Sequence, residues 1–493
     1  MRGDFTRWRF DKKHNFNGVL HQQGKVLLDS DWNDQVNITM NWQDQLGDDV
    51  IGLDVVAIPI SSYDGFKVTS VEEINEEEIK IQVNPGRAWI NGVLVYLEHP
   101  EDIISFPAKG VKRIATPLFG QDPISDYNRA VILLEVWREE LNAFQETNLL
   151  LEPALGGIDT TERVLNSFAF KFHKLTNEEK CGDIKDIIKN YKDELDGRGR
   201  LTVKLADVSV WPYVVEGSYS ALEHRLYRIE IAKTNRSGNW FKWSQNNGKL
   251  VGIGSFEGTD RKRIKIEVNQ QAINYASFTT GYLEATRYNT EKGHWETFYG
   301  ANVDLLSENY LRINELEAPY LDEYNNGTSF FFRLWNGIEP IDDYMKTYAV
   351  ELKDRCGIKL KFHNGSISNP FRPYDYWTFP VRLNQTSEVD FPNSDLPQGR
   401  VYHLAPLAII QCEGSCFNSP PSVKHIHDCR AKFQPLTNQK FCPTVTVGAL
   451  DDFKHIHEVP ENMIDELVQS QNWEALGSII KLLRKSIRGR RSI

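Results

Sequence analysis

The stretch EIKIQVNPGRAWINGVLVYLE, residues 78–98, decides the fold class of this chain. Its apolar residues alternate with polar ones, as they do in a strand that buries one side. Asn91-Gly92 separates two such runs and predicts a two-residue hairpin turn, because both residues tolerate the positive φ that this turn requires. We therefore expect two or three short strands here, with Trp89 and Val93 packing inward.

Similar runs recur through the middle of the chain. They are rich in β-branched and aromatic residues and are separated by Gly, Asn and Pro, which suits strands joined by tight turns. They read AVILLEVWRE, VLNSFAFKFH, RLTVKLADVSVW, RLYRIEIAKT, KRIKIEV, TSFFFRLW, GIKLKFH and YWTFPVRL. The sequence thus predicts a mainly β protein, and its 493 residues predict more than one domain.

Short helical elements are expected in three places. Residues 30–50 carry apolar side chains at helical spacing behind the N-cap candidates Asp29 and Ser30. A second helical segment is expected near 178–195, and amphipathic helices with a basic tail at the C-terminus.

The predicted domains are an N-terminal arm and helix (1–55), a small β-domain (56–110), a central β-rich region with a helical insertion at 174–200 (111–383), an irregular Cys/His-containing connector (384–447) and the C-terminal helices (448–493).

Charge and composition restrict the class of protein. Lys and Arg number 57 against 68 Asp and Glu, a net charge of -11, which argues against nucleic-acid binding. No run approaches the roughly 18 consecutive apolar residues of a membrane span. The first residues lack the pattern of a secretory signal, so Met1 is the expected mature N-terminus. With only 6 cysteines, synthesis in the cytoplasm is expected.

The motifs of common enzymes do not occur. The sequence contains no G-x-S-x-G, no H-E-x-x-H and no P-loop. The acidic pairs Glu139-Glu140 and Asp342-Asp343 resemble glycosidase carboxylates, but sequence adjacency does not set the separation that such chemistry needs, and a solvated surface is favoured. The chain is therefore predicted not to be an enzyme.

One segment carries plausible metal ligands. Thiolates and imidazoles of this kind bind tetrahedral zinc, although the spacing is that of no standard zinc finger. Two other interpretations stay open: ordinary buried thiols, or a disulfide formed in an oxidising exterior. No other cofactor is predicted. The candidate ligands are Cys412, Cys416, Cys429, Cys442, His425 and His427.

Several segments carry a family resemblance in the same order along the chain. They include MRGDFTRWRFD, VLHQQGKVLLDSDWNDQ, VNPGRAWINGVLVY, ILLEVWREELNAFQE, EPALGGIDTTERV and YDYWTFPVRL. The chain resembles a family of β-rich proteins of unknown biochemical function, found in phage tails and in phage-tail-like contractile injection gene clusters near baseplate components. The resemblance implies a non-enzymatic structural or adaptor component at the baseplate or an attached fibre. Its partners would be other subunits and further copies of itself, in a particle that is released outside the cell.

The aromatic N-terminus suits such an assembly. Phe5, Trp8, Phe10 and Phe16, with charges between them, fit an arm that becomes ordered against a neighbouring subunit, while the alternative is an arm that covers its own core. The rival function is an envelope-targeting protein that binds or cleaves glycans. Its best support is the aromatic residues of FKWSQNNG and DYWTFPVR, for which a place in the β core is favoured.

Overall fold

The computed structural model describes residues 10–75, 78–97, 111–118, 129–146, 150–155, 158–175, 179–196, 198–206, 208–210, 213–215, 224–258, 262–276, 278–289, 292–307, 309–316, 328–354, 356–367, 370–382, 387–412 and 423–434. The chain divides into two compact units, one of Met1–Ile58 with Ser62–Ala431 and one of Pro59–Ser61 with Lys432–Ile493. The first unit holds the three β modules described below.

The hairpin predicted at residues 78–98 is confirmed. Strands β1 (Ala57–Pro59), β4 (Gly86–Ile90) and β5 (Val93–Leu97) lie side by side with β4 in the middle. Asn91 and Gly92 turn the chain with φ values of 45° and 73°, as a two-residue hairpin requires. Val93 is buried as expected. The prediction for Trp89 was wrong: it is half-buried on the opposite side, because its neighbours Ala88 and Ile90 take the core positions.

A seven-stranded sheet packs against this hairpin sheet and completes the first module. In spatial order its strands are β2 (Val68–Asn75), β3 (Glu78–Val83), β6 (Val111–Pro117), β10 (Arg163–Lys174), β7 (Arg129–Leu141), β27 (His403–Cys412) and β28 (Val423–Asp428). The two longest strands, β7 and β10, pair along the whole length of β10. One apolar core joins this sheet to β4 and β5.

The second module joins two four-stranded sheets around one aromatic core. The first sheet, in spatial order, is β23 (Val350–Glu351), β24 (Ile358–His363), β11 (Arg200–Leu205) and β26 (Asn393–Asp395). The second is β22 (Gly337–Pro340), β15 (Trp240–Ser244), β14 (Arg225–Ile231) and β25 (Tyr376–Val381).

The third module is a closed six-stranded sheet around its own core. In spatial order its strands are β16 (Val251–Glu257), β17 (Arg263–Val268), β20 (Tyr310–Leu316), β19 (His294–Ser307), β18 (Thr280–Asn289) and β21 (Ser329–Trp335).

The remaining short strands are β8 (Leu151–Glu152), β9 (Ile158–Asp159), β12 (Val208–Val210), β13 (Tyr213–Val215) and β29 (Ala431–Phe433).

The modules are nested inside one another along the chain. β10 and β27 both border β7, so the second module is an insertion between two strands of the seven-stranded sheet. β15 and β22 are likewise neighbours, and the closed sheet lies between them in sequence. The predicted boundaries at 110 and 383 are therefore wrong, because each separates strands of one sheet. Residues 384–447 are also not an irregular connector in their described part, since β27 is paired on both sides, with β7 and with β28.

Three α-helices occur among the described residues: α1 (Asp29–Ile51), α2 (Lys185–Asp196) and α3 (Gln270–Tyr275). The first two confirm predicted helices. The N-cap assignment was wrong, because Leu28 is the cap residue and makes no side-chain capping bond. In the described part of the chain, no helix has the length and apolarity needed to cross a membrane. The predicted helices at 448–493 lie outside the described residues.

Candidate functional site

The buried positions of helix α1 carry mostly small and polar residues, and the C-terminal part of the helix contacts the hairpin turn. Ser30, Asn37 and Ile38 are buried, and Gly47 lies against the backbone of Gly92. A Cβ added at Gly47 would come within 2.5 Å of the Gly92 Cα, a distance that real Cβ atoms do not reach. The helix and the hairpin turn therefore meet backbone to backbone, with glycine on both sides of the contact.

Ion pairs fix this orientation of α1. The guanidinium of Arg138 on β7 donates two hydrogen bonds to the Asp44 carboxylate, both of 2.6 Å. Just beyond the helix, Lys192 of α2 donates to the Asp54 carboxylate at 2.7 Å, and the Asp54 backbone N–H donates to the Asn91 side chain at 2.8 Å. Two-pronged Arg–carboxylate bonds add geometric specificity, so they set which side of α1 faces inward.

The opposite side of α1 is apolar and faces solvent. Trp32, Val36, Leu46 and Val50 retain exposures of 60%, 49%, 47% and 54%. Positions 4, 14 and 18 residues beyond Trp32 lie about one, four and five turns along an α-helix, so the four side chains share one side. Trp42 lies beside them and is also exposed. The polar side chains of Thr39 and Gln43 are exposed on the same side between Val36 and Leu46, so the apolar residues form two clusters along the helix. We call the five apolar residues the α1 apolar face.

All the charged side chains of α1 are acidic. Its 23 residues include six aspartates and no lysine or arginine. Burial raises the pKa of Asp48, and the neighbouring carboxylates of Asp44 and Asp49 raise it further. A binding partner with basic groups around an apolar centre would complement this surface, because opposite potentials attract and like charges are costly across an interface.

The chain leading into α1 extends the exposed apolar surface. Phe16, Leu20 and Val26 are 68%, 93% and 83% exposed. Of the predicted arm residues, Phe16 is thus exposed and Phe10 half-buried, while Phe5 and Trp8 lie outside the described residues.

A second feature is a row of buried charges between the second module and the closed sheet. Lys242 on β15 lies 3.0 Å from the Glu230 carboxylate on β14 and 2.6 Å from that of Glu284 on β18. Arg228 donates to Glu230 from the other side, with its Nη2 at 2.5 Å. All four side chains are fully or almost fully buried, and their charges balance. Buried pairs of this kind add little net stability, because the cost of removing the charges from water offsets their attraction.

The acidic pairs had been predicted to lie on the surface. Asp342 and Asp343 are exposed, but Glu139 is buried, where the Ser167 hydroxyl donates to it at 2.5 Å and Arg400 at 2.6 Å. The surface prediction is therefore wrong for Glu139. Its partners lie 28 and 261 residues away in the chain, which no local pattern reveals.

The structure divides the predicted zinc ligands. Cys429 forms a disulfide with Cys181, so its sulfur is not free to bind a metal. His425 and His427 are exposed on β28. Cys412 ends β27, and Cys416 and Cys442 lie outside the described residues. No group of three possible ligands comes together within the described ranges.

The aromatic segments proposed as sugar platforms belong to the core. Phe241, Trp243, Trp377 and Phe379 are buried between the two sheets of the second module, as the core interpretation predicted. These side chains offer no surface to a glycan.

No match was found among curated proteins. Residues 1–216 match the model of a family of unknown function, DUF6519, so the similarity covers α1, the hairpin, α2 and all but the last two strands of the seven-stranded sheet.

Proposed function

We propose that this chain is a non-enzymatic structural or adaptor subunit of a phage-tail-like contractile injection particle, at the baseplate or on an attached fibre. The supporting observation is the α1 apolar face, which points away from the module that holds the helix. Covering apolar area yields roughly 25 cal/mol per Å², so a neighbouring subunit would gain stability by binding there. The sequence resemblance suggests the type of particle.

The partner is a neighbouring subunit that presents an apolar ridge with Lys and Arg around it. The apolar centre follows from Trp32, Val36 and Leu46. The basic rim follows from Asp29, Asp31 and Asp49, which flank these residues on the helix, since Asp44 is paired with Arg138 on the inner side. Aromatic residues at such a site act as anchors that fill pockets of the partner.

The test is a double substitution, Trp32→Ser with Val36→Ser, in the gene cluster that makes the particle. Both side chains are exposed, so the isolated chain should keep its melting temperature. The variant should be missing from purified particles, as judged by quantitative mass spectrometry. Tyr348→Ser is the matched control, because Tyr348 is 63% exposed but lies in the second module. Incorporation of the double variant at the wild-type level would refute the role of α1.

The N-terminal arm is tested separately with Phe16→Ser and Leu20→Ser. If the arm adds to the same contact, this pair should reduce incorporation less than the α1 pair does, because the arm flanks the helix. A chain that loses stability instead would support the alternative, in which the arm covers its own core.

A further inference from the structure

Lys242 is a buried lysine that lies between two carboxylates. It is the direct cross-strand neighbour of Glu230, and its Nζ lies 3.0 Å from the Glu230 carboxylate and 2.6 Å from that of Glu284. All three side chains are at most 1% exposed. Within the described part of the chain, the Nζ makes no well-aligned hydrogen bond despite these distances. A buried ammonium without such bonds is costly, so ion pairing by itself gives Lys242 a poor environment.

The surroundings of the Nζ are aromatic as well as buried. The centroid of the Trp335 ring lies 4.5 Å from the Nζ, and that of the Tyr374 ring lies 5.9 Å from it. Separated charges are costly in such surroundings, so a proton can pass from the ammonium to the carboxylate at 2.6 Å and leave a neutral amine beside a neutral acid. A neutral, desolvated lysine amine is a nucleophile.

The two carboxylates differ in their hydrogen-bond donors. Glu230 accepts two hydrogen bonds from the Arg228 guanidinium, at 2.9 and 2.5 Å, which hold its negative charge. Besides its contact with the lysine, Glu284 accepts from neutral donors, the Thr297 hydroxyl at 2.6 Å and the Trp335 indole N–H at 3.2 Å. Such donors stabilise the oxyanion that forms when an amine adds to a carboxyl group. Glu284 therefore suits the acceptor, and Glu230 suits the base.

We propose that the side chains of Lys242 and Glu284 join in an amide bond, which links the second module covalently to the closed sheet. The amine adds to Glu284 Cδ, and the oxygen that becomes negative is the one that accepts from the Thr297 hydroxyl. Glu230 takes a proton from the Nζ and passes it to the Glu284 hydroxyl, which leaves as water while the N–C bond remains. One ammonium and one carboxylate thus give one amide and one water, so the step needs no oxidant, cofactor or other reactant.

The amide bond also reduces the buried charge. Before the reaction, Arg228 and Lys242 balance Glu230 and Glu284; after it, the Arg228–Glu230 pair remains and is balanced by itself. Loss of two of the four charges removes their desolvation cost. Contact between the reacting groups supplies the rate, because an oriented reaction within one chain avoids the entropy of an encounter. This inference concerns a bond within the chain and is independent of the role proposed for α1.

The mass of the intact chain, measured after reduction and denaturation, tests the bond. We expect a mass that is lower than the sequence predicts by one water. Tryptic digestion should then give a branched peptide in which residues 237–249 and 266–287 are joined through Lys242 and Glu284. A wild-type mass equal to that of the sequence overturns the proposal, as does a branch that joins residues 237–249 to 229–233.

The same digest contains a matched control. Lys192 and Asp54 form an ion pair with an N–O distance of 2.7 Å, but their side chains are 42% and 25% exposed. Water stabilises both charges there, so their peptides should stay unlinked. A link between Lys192 and Asp54 would overturn the argument from burial.

Two substitutions test the roles of the lysine and the base. Lys242→Met removes the nucleophile, so the chain should have the full mass of its own sequence. Glu230→Gln keeps the nucleophile and the acceptor but should slow the linkage by at least about a hundredfold, which leaves most freshly made chains unlinked. Complete linkage in Glu230→Gln would overturn the role of Glu230. If either variant does not fold, the wild-type mass and its branched peptide decide the matter.

Discussion

Helices α1 and α2 use their apolar residues differently: α2 is strongly amphipathic and buries its apolar side, whereas α1 is weakly amphipathic and leaves its large apolar side chains exposed. In α2, Ile188 and Tyr191 are buried, and Ile184 just before the helix joins them in a core with residues of β7 and β27. In α1, the large apolar side chains Trp32 and Val36 face solvent, and the buried positions hold Ser30, Asn37, Ile38 and Gly47. Both helices pack on the same module, so position in the fold does not explain the difference.

The groups that anchor α1 and α2 to the first module account for this difference in burial. α2 is held by apolar contacts and by the disulfide between Cys181 and Cys429, which ties its N-terminal side to the end of β28. α1 is held by the Asp44–Arg138 pair and by the glycine contact with the hairpin turn. Hydrophobic periodicity thus identifies a helix and its apolar side, but the groups that anchor the helix decide whether that side is buried or exposed.

Loss of the disulfide should have the largest effect. It links residues 248 positions apart, and the loop-closure model gives about 5 kcal/mol for a loop of that size. Urea unfolding with and without dithiothreitol measures the difference. The double variant Cys181→Ser with Cys429→Ser should have the same free energy of unfolding as the reduced wild type. Dithiothreitol should not change that value. Equal stability of oxidised and reduced wild type would show that α2 does not depend on this link.

The second-largest loss of stability is expected from truncating a core residue of α2. Ile188→Ala should lower the free energy of unfolding by about 3 kcal/mol, because it leaves a cavity in a close-packed core. Val36→Ala on α1 is the matched control and should change it by no more than about 0.5 kcal/mol. Comparable losses at the two positions would mean that the α1 apolar face is covered within the isolated chain.

Removing the Asp44–Arg138 pair that anchors α1 should lower the free energy of unfolding by a smaller amount. Arg138→Met leaves the Asp44 carboxylate without its partner and should cost about 1–2 kcal/mol, since both side chains are partly exposed. Amide hydrogen exchange should show the loss first in α1. Arg312→Met is the control, because its pair with Asp304 is more exposed and worth at most about 1 kcal/mol. Unchanged exchange in α1 would assign its orientation to the glycine contact instead.

The smallest effect on stability is expected at Trp42. Trp42→Ser should alter the free energy of unfolding by no more than about 0.5 kcal/mol, because the indole is 58% exposed. Acrylamide quenching gives the complementary measurement. Trp32 and Trp42 should be quenched in the free chain, whereas the buried Trp377 should be protected. If the proposed subunit contact forms, Trp32 and Trp42 should become protected in it. Protection of the α1 tryptophans already in the free chain would contradict their exposure.

Prediction from the sequence succeeded where the signal is local. The Asn91-Gly92 turn, the alternating strands and the first two helices follow from φ preferences and side-chain periods that act over a few residues. It failed for Glu139 and Cys429, whose partners lie hundreds of residues away or in another strand. The polar cavity lined by Glu135, Lys171, Tyr191 and Arg198 among others was missed for the same reason, because its lining comes from six separate segments of the chain.

The amino-acid sequence by itself determined the mainly β class, the hairpin and the existence of α1, since these depend on local conformational preference and apolar period. Only the tertiary structure decided that β27 returns to the sheet begun by β2, that one module is inserted within another, and which side of α1 faces outward. These outcomes depend on contacts such as Arg138 with Asp44 and β7 with β27. Residues that far apart meet only when burial of a shared core repays the entropy of closing the chain between them.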